Sequence, residues 1–316
     1  MFEKLVDIII PVYNKSIFLN DLCVRLQKLP SSSYNIIFID DGSTDDSALI
    51  INHLTKDLKN FYLFQKKNGG VSSARNYGIN KSISKYIWFV DPDDLIDEDL
   101  REINDNFIFE IDADVIIFNY TLHNIRDSAH IKFNFKERGF YENIYFSEKY
   151  DALKSKEKNM NIIWNKWYKR KFIENIEFNE NIHLGEDRLF NIEVFFKRGK
   201  TFFLNKKIYD YYLYESDTLS TSLTLKKINY IYQVNHINLK VMNFDRVLCK
   251  NHIIEQIKIK AKLNDKKLIQ FYIMEHRILK KKILPFLNFN EIIIVFFISI
   301  NLYFVLLYVV NLFKKR

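Results

Sequence analysis

The chain has 316 residues, of which 48% are hydrophobic and 16% aromatic, and its formal net charge is +8. A chain of this length and apolar content can bury a sizeable core, so the composition excludes an intrinsically disordered protein. The two cysteines, Cys23 and Cys249, lack a metal-binding spacing, which excludes a disulfide scaffold and indicates a reducing compartment. Because Met1–Lys4 leads directly into a predicted strand, no signal peptide is expected.

Predicted strands and helices alternate over the first ninety residues. Apolar, β-branched and aromatic runs predict buried strands over Leu5–Pro11, Asn35–Ile39, Phe61–Gln65 and Tyr86–Val90. Helical spacing predicts a first helix over Asn14–Leu29, and turn residues indicate a third over Ser72–Ser82. The second predicted helix begins at Ser43 or Thr44 as N-cap and ends at about Leu58. This alternation predicts an α/β fold with a mostly parallel sheet, right-handed crossovers and helices on both faces.

An acidic turn, Asp91-Pro92-Asp93-Asp94, directly follows the fourth predicted strand. Pro92 cannot donate to a sheet, so the strand ends there and the carboxylates lie at its carboxyl end. In open α/β sheets this edge binds ligands, and closely spaced carboxylates favour a divalent cation. An ordinary solvated turn is the alternative for a motif this short.

Backbone-bending residues are concentrated at the same predicted sheet edge. The whole chain has only seven glycines and four prolines. Those near the strand ends of the first ninety residues are Pro11, Gly42, Gly69, Gly70, Gly78 and Pro92. Their clustering favours a ligand the size of a phosphate or nucleotide. Neither a G-x-G-x-x-G nor a Walker sequence occurs, so a standard dinucleotide site and a P-loop are not indicated.

The middle of the chain has a weaker pattern. Asp114–Asn119 predicts a strand, Lys132–Tyr145 a hairpin, and Ile162–Phe196 helical structure interrupted at Ile182–Asp187. Trp164 and Trp167 are three positions apart, which on a helix favours core packing over a sugar-binding platform.

The last hundred residues combine a basic region with an uncharged one. Lys226–Lys282 is predicted to form helices with a basic face, and residues 240–290 contain twelve Lys or Arg against four Asp or Glu. Ile292–Phe313 holds 22 residues without a charge, enough to span a bilayer as a helix. A spanning helix, an interfacial helix and a buried core helix are all compatible with its interspersed polar residues.

The basic region and the uncharged tail together predict an anionic membrane surface as partner. Nucleic acid is not expected, because no recognised binding module accompanies the charge. The predicted location is the cytoplasmic face of the cell membrane, with the tail in or on the bilayer.

Four segments at the predicted strand ends together resemble the signature of glycosyltransferase family 2. They are Val6–Asn14, Asp40–Asp45, Gly70–Gly78 and Asp91–Asp94, followed more loosely by Trp164–Lys169 and Gly185–Phe190. The resemblance covers about residues 4–220 and implies a GT-A type fold, Rossmann-like in its sheet. The implied organisation is a catalytic domain over residues 1–222, with a nucleotide-binding half (1–95) and an acceptor half (96–222). A basic helical extension (223–290) and a hydrophobic tail helix (291–316) are predicted to follow.

The resemblance also implies roles for individual residues in binding a nucleotide-sugar donor. Tyr13 would stack on the donor base beside Pro11, and Asp41 would hydrogen-bond the uracil edge. Arg75 would reach the base or the phosphates, although an ordinary ion pair is the alternative for this residue. Asp91 and Asp93 would bind ribose and a divalent cation, Mg²⁺ or Mn²⁺, with Asp94 nearby and Asp93 favoured for the metal.

Asp187 is similar to the family's catalytic base, with Glu186 as its neighbour; the alternative is an acidic first helix turn that suits the helix dipole. The implied activity is that of a metal-dependent, inverting bacterial hexosyltransferase. It would move a sugar from a nucleoside-diphosphate sugar, with a UDP-sugar favoured, to a hydroxyl of a saccharide. Membrane association favours a lipid-linked acceptor in polysaccharide synthesis. The alternatives are an inactive sugar-nucleotide-binding scaffold protein and, less favoured, a phosphatase with a D-x-D motif.

Overall fold

A computed structural model describes residues 4–135, 137–143 and 161–214 of the chain. The strands are β1 Val6–Val12, β2 Tyr34–Asp40, β3 Phe61–Gln65, β4 Tyr86–Phe89, β5 Leu95–Ile96, β6 Val115–Asn124, β7 Ala129–Phe133, β8 Gly139–Glu142, β9 Lys166–Lys169 and β10 Lys200–Leu213. The helices are α1 Ser16–Leu26, α2 Ser47–Thr55, α3 Val71–Lys81, a 3₁₀ turn Glu98–Glu102, α4 Asp105–Ile111, α5 Arg170–Ile173 and α6 Glu186–Phe196. The alternation predicted for the first ninety residues is confirmed.

All of the described strands belong to one mixed sheet in the order β3-β2-β1-β4-β9-β6-β10-β5, with β7 beside β6 and β8 beside β10. The first four strands are parallel to one another. In the second half β9 lies antiparallel between β4 and β6, and β6 and β10 are parallel. The predicted α/β architecture is confirmed, and the parallel arrangement belongs to its first half.

Helices cover both faces of the sheet, because the strand residues are apolar on both sides. Trp88 packs into a core with Leu22 of α1, whereas its neighbour Phe89 packs into a second core with Ala74 of α3 and Phe190 of α6. The alternation along β4 follows from the period of two in a strand. As a result, α3 and α6 share one face of the sheet.

The helical interpretation of Ile162–Phe196 is wrong at its start, where the structure has strand β9. This four-residue strand lies between β4 and β6, and pairing with both neighbours outweighs local helical preference. Trp164 and Trp167 therefore share no helix. Their predicted packing in the core is nevertheless confirmed, since both side chains are buried.

Two further local predictions are wrong. Lys132–Tyr145 does not form a hairpin with itself, since Ala129–Phe133 pairs with β6 and Gly139–Glu142 pairs with β10. Helix α2 begins at Ser47 rather than after Ser43 or Thr44. Those two residues instead bond to Asn14 in the loop after β1.

The described residues belong to a compact unit that comprises Met1–Ser220. No helix within residues 4–135, 137–143 and 161–214 is both long and apolar enough to cross a bilayer. The predicted basic extension (223–290) and tail helix (291–316) lie outside the described residues, and so does the predicted boundary at 222. These predictions, including the membrane one, stay untested.

Candidate active site

A pocket of about 820 Å³ opens at the carboxyl ends of β1, β2 and β4, the edge that the sequence predicts. The loops after β1, β2, β3 and β4, the loop before α6 and the start of α3 form its walls. The lining residues are Pro11, Val12, Tyr13, Lys15, Asp41, Asn68, Gly69, Gly70, Val71, Ala74, Asp91, Pro92, Asp93 and His183. Its size is within the range of small-molecule sites.

The loop after β1 forms one wall and is fixed to the loop after β2. Asn14 adopts a positive φ of 52°, and its Oδ1 accepts a hydrogen bond from the Thr44 amide at 2.8 Å. The Asn14 amide donates to Ser43 Oγ at 3.0 Å. These bonds hold the preceding Tyr13 in place, with 48% of its surface exposed and Pro11 buried behind it. An exposed ring on a fixed loop is suited to stacking on a planar ligand.

The carboxylate of Asp41 anchors the glycine turn that leads into α3. Its oxygens accept hydrogen bonds from the amides of Gly69 at 3.0 Å and Gly70 at 2.7 Å. Lys66 Nζ lies 2.7 Å from Asp41 Oδ1. Asp41 lines the pocket, and the structure assigns it a loop-positioning function in addition to its predicted contact with the base, which stays a prediction.

The three carboxylates of the acidic turn differ in environment. Asp91 and Asp93 line the pocket, and Asp93 Oδ2 pairs with Lys15 Nζ at 2.5 Å. Asp94 is only 2% exposed and accepts hydrogen bonds from the Tyr209 hydroxyl and the Tyr212 amide, both at 2.8 Å. Burial raises the pKa of Asp94 well above its ordinary value. Asp94 thus connects the turn to β10, while Asp91 and Asp93 line the pocket.

The donor set of the pocket fits a cation that is shared with a ligand. Within the described ranges, no group of three or more His, Cys, Asp or Glu side chains could hold a metal ion by itself. Mg²⁺ is usually bound by one or two carboxylates together with substrate phosphates and water. Asp91 and Asp93 offer two partly exposed carboxylates of this kind.

Arg75 connects the acidic turn to the first turn of α6. Its guanidinium is 3.0 Å from Asp91 Oδ1, 2.7 Å from Asp187 Oδ1 and 3.4 Å from Glu186 Oε1. The side chain is buried, and its Cζ lies 5.3 Å from the centre of the Phe178 ring. The structure thus gives Arg75 three carboxylate partners, and its predicted contact with the base or the phosphates stays a prediction.

The environment of Asp187 raises the pKa of its carboxyl group to near neutral. Burial raises the pKa of Asp187 to about 7, Arg75 opposes this rise, and the neighbouring carboxylates of Glu186 and Asp91 add to it. Burial alone would lower the pKa of Arg75, but the same three carboxylates raise it above its ordinary value. A carboxyl group that titrates near neutral pH is suited to exchange protons with a ligand.

Sequence reasoning missed Lys15, Lys66 and His183. Lys15 and His183 line the pocket, and Lys66 is bonded to Asp41. Lysines are frequent in this chain, so nothing distinguished Lys15 and Lys66 from solvated ones. His183 has no metal-spaced partner in the sequence, and only the fold brings it to the pocket, on the loop before α6.

The amino-acid sequence matches known glycosyltransferases. The family model described as glycosyl transferase family 2 matches residues 7–177, more than half of the chain. The glycosyltransferase GlyA of Streptococcus pneumoniae is 30% identical over 216 residues, which are 67% of this chain and 31% of that protein. The minor teichoic acid biosynthesis protein GgaB of Bacillus subtilis is 29% identical over 78% of this chain and 27% of its own length. The matched regions thus span about a third or less of these relatives.

Solved structures show the same fold. S. aureus TarS 1-349 in complex with UDP has a TM-score of 0.66 at 18% identity, over 86% of this chain and 82% of that one. The complex of the same protein with UDP-GlcNAc gives a TM-score of 0.65 at 20% identity, with the same coverage. This likeness confirms the GT-A type of α/β fold, and the family match confirms the resemblance of the strand-end motifs. The chain belongs to glycosyltransferase family 2.

Proposed function

We propose that the chain transfers a hexose from a UDP-sugar to a hydroxyl group of a saccharide acceptor, with inversion at the anomeric carbon. The donor would occupy the pocket beside Tyr13 and Asp41. The acceptor would approach from the side of α6. The solved complexes of TarS with UDP and UDP-GlcNAc support a UDP-sugar as the donor to test first.

The observation that carries the proposal is the bridge that Arg75 makes between the pocket and Asp187. One guanidinium contacts Asp91, which lines the pocket, and Asp187, on α6. Arg75 therefore holds Asp187, the candidate base, close to Asp91, a carboxylate that would face the donor. Transfer to an alcohol requires this proximity, because the hydroxyl proton must leave as the new bond forms.

In the proposed reaction Asp187 takes the proton of the acceptor hydroxyl. The acceptor oxygen then bonds to the anomeric carbon while the bond between that carbon and the β-phosphate oxygen breaks, with UDP as leaving group. Glycosyl transfer of this kind develops positive charge on the sugar ring. Attack opposite the departing diphosphate inverts the anomeric configuration.

Asp91 and Asp93 would hold a divalent cation, Mg²⁺ or Mn²⁺, when the donor is bound. Such a cation neutralises charge on the departing diphosphate. Lys15, which pairs with Asp93, would add a second positive group at the same wall.

The acceptor is proposed to be lipid-linked, in bacterial surface-polysaccharide synthesis at the cytoplasmic face of the membrane. Two observations support this proposal. The relative GgaB is named as a teichoic acid biosynthesis protein. The basic region 240–290 and the uncharged residues 292–313 are suited to an anionic bilayer.

The test is the release of UDP from UDP-GlcNAc, UDP-glucose and UDP-galactose by the full chain, with Mn²⁺ or Mg²⁺ and with EDTA. We expect metal-dependent release from at least one donor, which Asp93→Ala removes. Thermal shift measured with the same donors separates binding from turnover, because a bound ligand raises stability. Binding without release, in the presence of saccharide acceptors, would favour the inactive scaffold instead.

A further inference from the structure

Lys166 is a completely buried lysine on the sheet face that α6 covers. It precedes Tyr168 by two positions on β9, so the two side chains lie on the same side of the strand. Tyr168 packs there against Phe190 of α6, with ring centres 5.4 Å apart. Lys166 Nζ bonds to the Ile162 carbonyl and, at 2.8 Å, to Asn165 Oδ1. Both partners of the ammonium group are therefore uncharged.

A short polar network joins Lys166 to the helix that carries Asp187. Asn191 lies four residues after Asp187, one turn further along the same side of α6. Its Nδ2 donates at 3.0 Å to the Ile162 carbonyl, the same oxygen that Lys166 contacts. Its Oδ1 accepts from the Tyr168 hydroxyl at 2.7 Å. These bonds fix the lysine beneath the first turns of α6.

We propose that Lys166 is a positioning residue for the candidate base, whose buried ammonium group stabilises Asp187 in the ionised, proton-accepting form. The inference rests on the proposed function. An ammonium group is costly to bury, and two carbonyl-type acceptors could be satisfied by a neutral donor. A positive charge at this place is explained by the excess of negative charge around Asp187, since charges interact strongly away from water.

The balance of charge at Asp187 supports this assignment. Lys166 lowers the pKa of Asp187, in the same direction as Arg75 and against burial. Burial in turn lowers the pKa of Lys166 to about 7, and the Asp187 carboxylate opposes that change. Each group thus favours the charged form of the other. Among the described residues, the other titratable groups that interact with Asp187 include Arg75 on α3, Asp91 after β4, Tyr168 on β9 and Glu186 on α6.

The test compares pH profiles of kcat/KM for UDP-sugar turnover by the full chain. The acidic limb is the pH range in which kcat/KM rises as Asp187 loses its proton. Lys166→Met should shift this limb to higher pH by about one unit. The kcat/KM of the variant should then be roughly tenfold below that of the wild type at pH values below the limb and nearly equal to it at high pH. Lys166→Arg keeps the charge and should leave the limb at or below its wild-type position. Lys169→Met is the matched control, because this lysine of the same strand pairs with Asp112 outside the site.

A uniform loss at every pH, or equal shifts for Lys166→Met and Lys166→Arg, would overturn the inference. Lys166→Gln retains a hydrogen-bond donor, so it tests the charge if the Met variant does not fold. Failure of both uncharged variants to fold would make the lysine structural and would also overturn the inference. A ¹³C NMR titration of the Asp187 carboxyl, assigned by its loss in Asp187→Asn, gives the same comparison without substrate. Absence of turnover in the wild type would then contradict the proposed function alone.

Discussion

At the scale of single residues, Arg75 holds together groups that would otherwise repel. Its guanidinium contacts Asp91, Glu186 and Asp187, so three carboxylates surround one buried cation. The planar guanidinium makes this possible because its N–H donors point in different directions, with Nη1 directed to Glu186 and Asp187 and Nη2 to Asp91. The ammonium group of a lysine lacks this planar fork of donors. Such a cluster adds little to stability, because burying charges costs about as much as their attraction returns. Its placement at the pocket edge fits the proposed proton transfer better than a stabilising function.

The first prediction concerns Asp187→Asn. The amide cannot accept a proton, so we expect UDP release with acceptor to fall by a factor of at least about 100. Donor binding should survive, because Asp187 does not line the pocket. Release kinetics and donor thermal shift, measured on the same preparations, check both parts. Wild-type turnover in this variant would show that another group is the base.

The second prediction concerns the pH dependence of stability. Because the folded state raises the pKa of Asp187 to about 7, folded protein binds its proton more tightly than unfolded protein does. The free energy of unfolding should therefore decrease as pH rises from about 4, the ordinary pKa, to about 7. Asp187→Asn removes this loss and should be more stable than the wild type at pH 8, by about 2 kcal/mol, but not at pH 4.

Urea unfolding at the two pH values measures this difference. The expected difference is smaller than the full pKa shift implies, because 26% of the Asp187 side chain is exposed and solvent screens its charge. Asp21→Asn, an exposed change on α1, is the control and should be neutral at both pH values. If Asp187→Asn and the wild type were equally stable at pH 8, the raised pKa would be contradicted.

At the scale of elements, the position of Arg75 depends on how closely α3 packs on β1. Gly78 lies three residues after Arg75, and a Cβ at this position would clash with Cγ2 of Ile9. Ile9 is fully buried in the core beneath α3. The glycine therefore sets the distance between helix and sheet, and with it the height of Arg75 above the acidic turn.

The third prediction is that Gly78→Ala destabilises the protein by about 1–3 kcal/mol. Helix propensity alone would make the alanine variant more stable by roughly 1 kcal/mol. A loss of stability would therefore be evidence for the predicted clash between Ala Cβ at position 78 and Ile9. Activity should fall as well, because a displaced α3 moves Arg75 away from Asp187. Chemical unfolding and UDP release measure the two effects.

Asn80→Ala, an exposed change on the same helix, is the control and should be neutral or slightly stabilising. In a double variant, Ile9→Ala removes the methyl group that clashes, so the two changes together should cost less than their sum. If the two losses of unfolding free energy simply added, the close approach of Gly78 to Ile9 would not contribute to stability.

The elements that the sequence predicted correctly are those whose evidence is local. The strands β1 to β4 are continuous apolar runs, and Asp91 and Asp93 follow directly from the end of β4. Strand β9 could not be predicted in this way, because its four residues are stabilised by two neighbouring strands. The same reason hid the carboxylate partners of Arg75 on α6, since Glu186 is 111 residues away in the chain.

At the scale of the whole molecule, the chain joins a catalytic fold to a region of different composition. The matches to GlyA and GgaB take up 31% and 27% of those proteins, so their full activities cannot be transferred to this chain. Residues 240–290 carry an excess of eight positive charges, which equals the net charge of the entire chain. All other residues together therefore sum to zero net charge, and the positive charge that we propose attracts an anionic surface lies next to the uncharged residues 292–313 in the sequence.

The fourth prediction is that the full chain cosediments with vesicles containing phosphatidylglycerol and does so less with purely zwitterionic vesicles. Two contributions should be separable, because charge attraction is screened by salt and apolar insertion is not. Deletion of residues 291–316 should leave binding that high salt abolishes. Replacing Lys280, Lys281 and Lys282 by Gln should weaken binding at low salt by about 3 kcal/mol, since each basic residue near such a surface contributes about 1 kcal/mol.

A full chain that stays in the supernatant with anionic vesicles at low salt would contradict the membrane proposal, while UDP release by the same sample would leave the proposed chemistry intact.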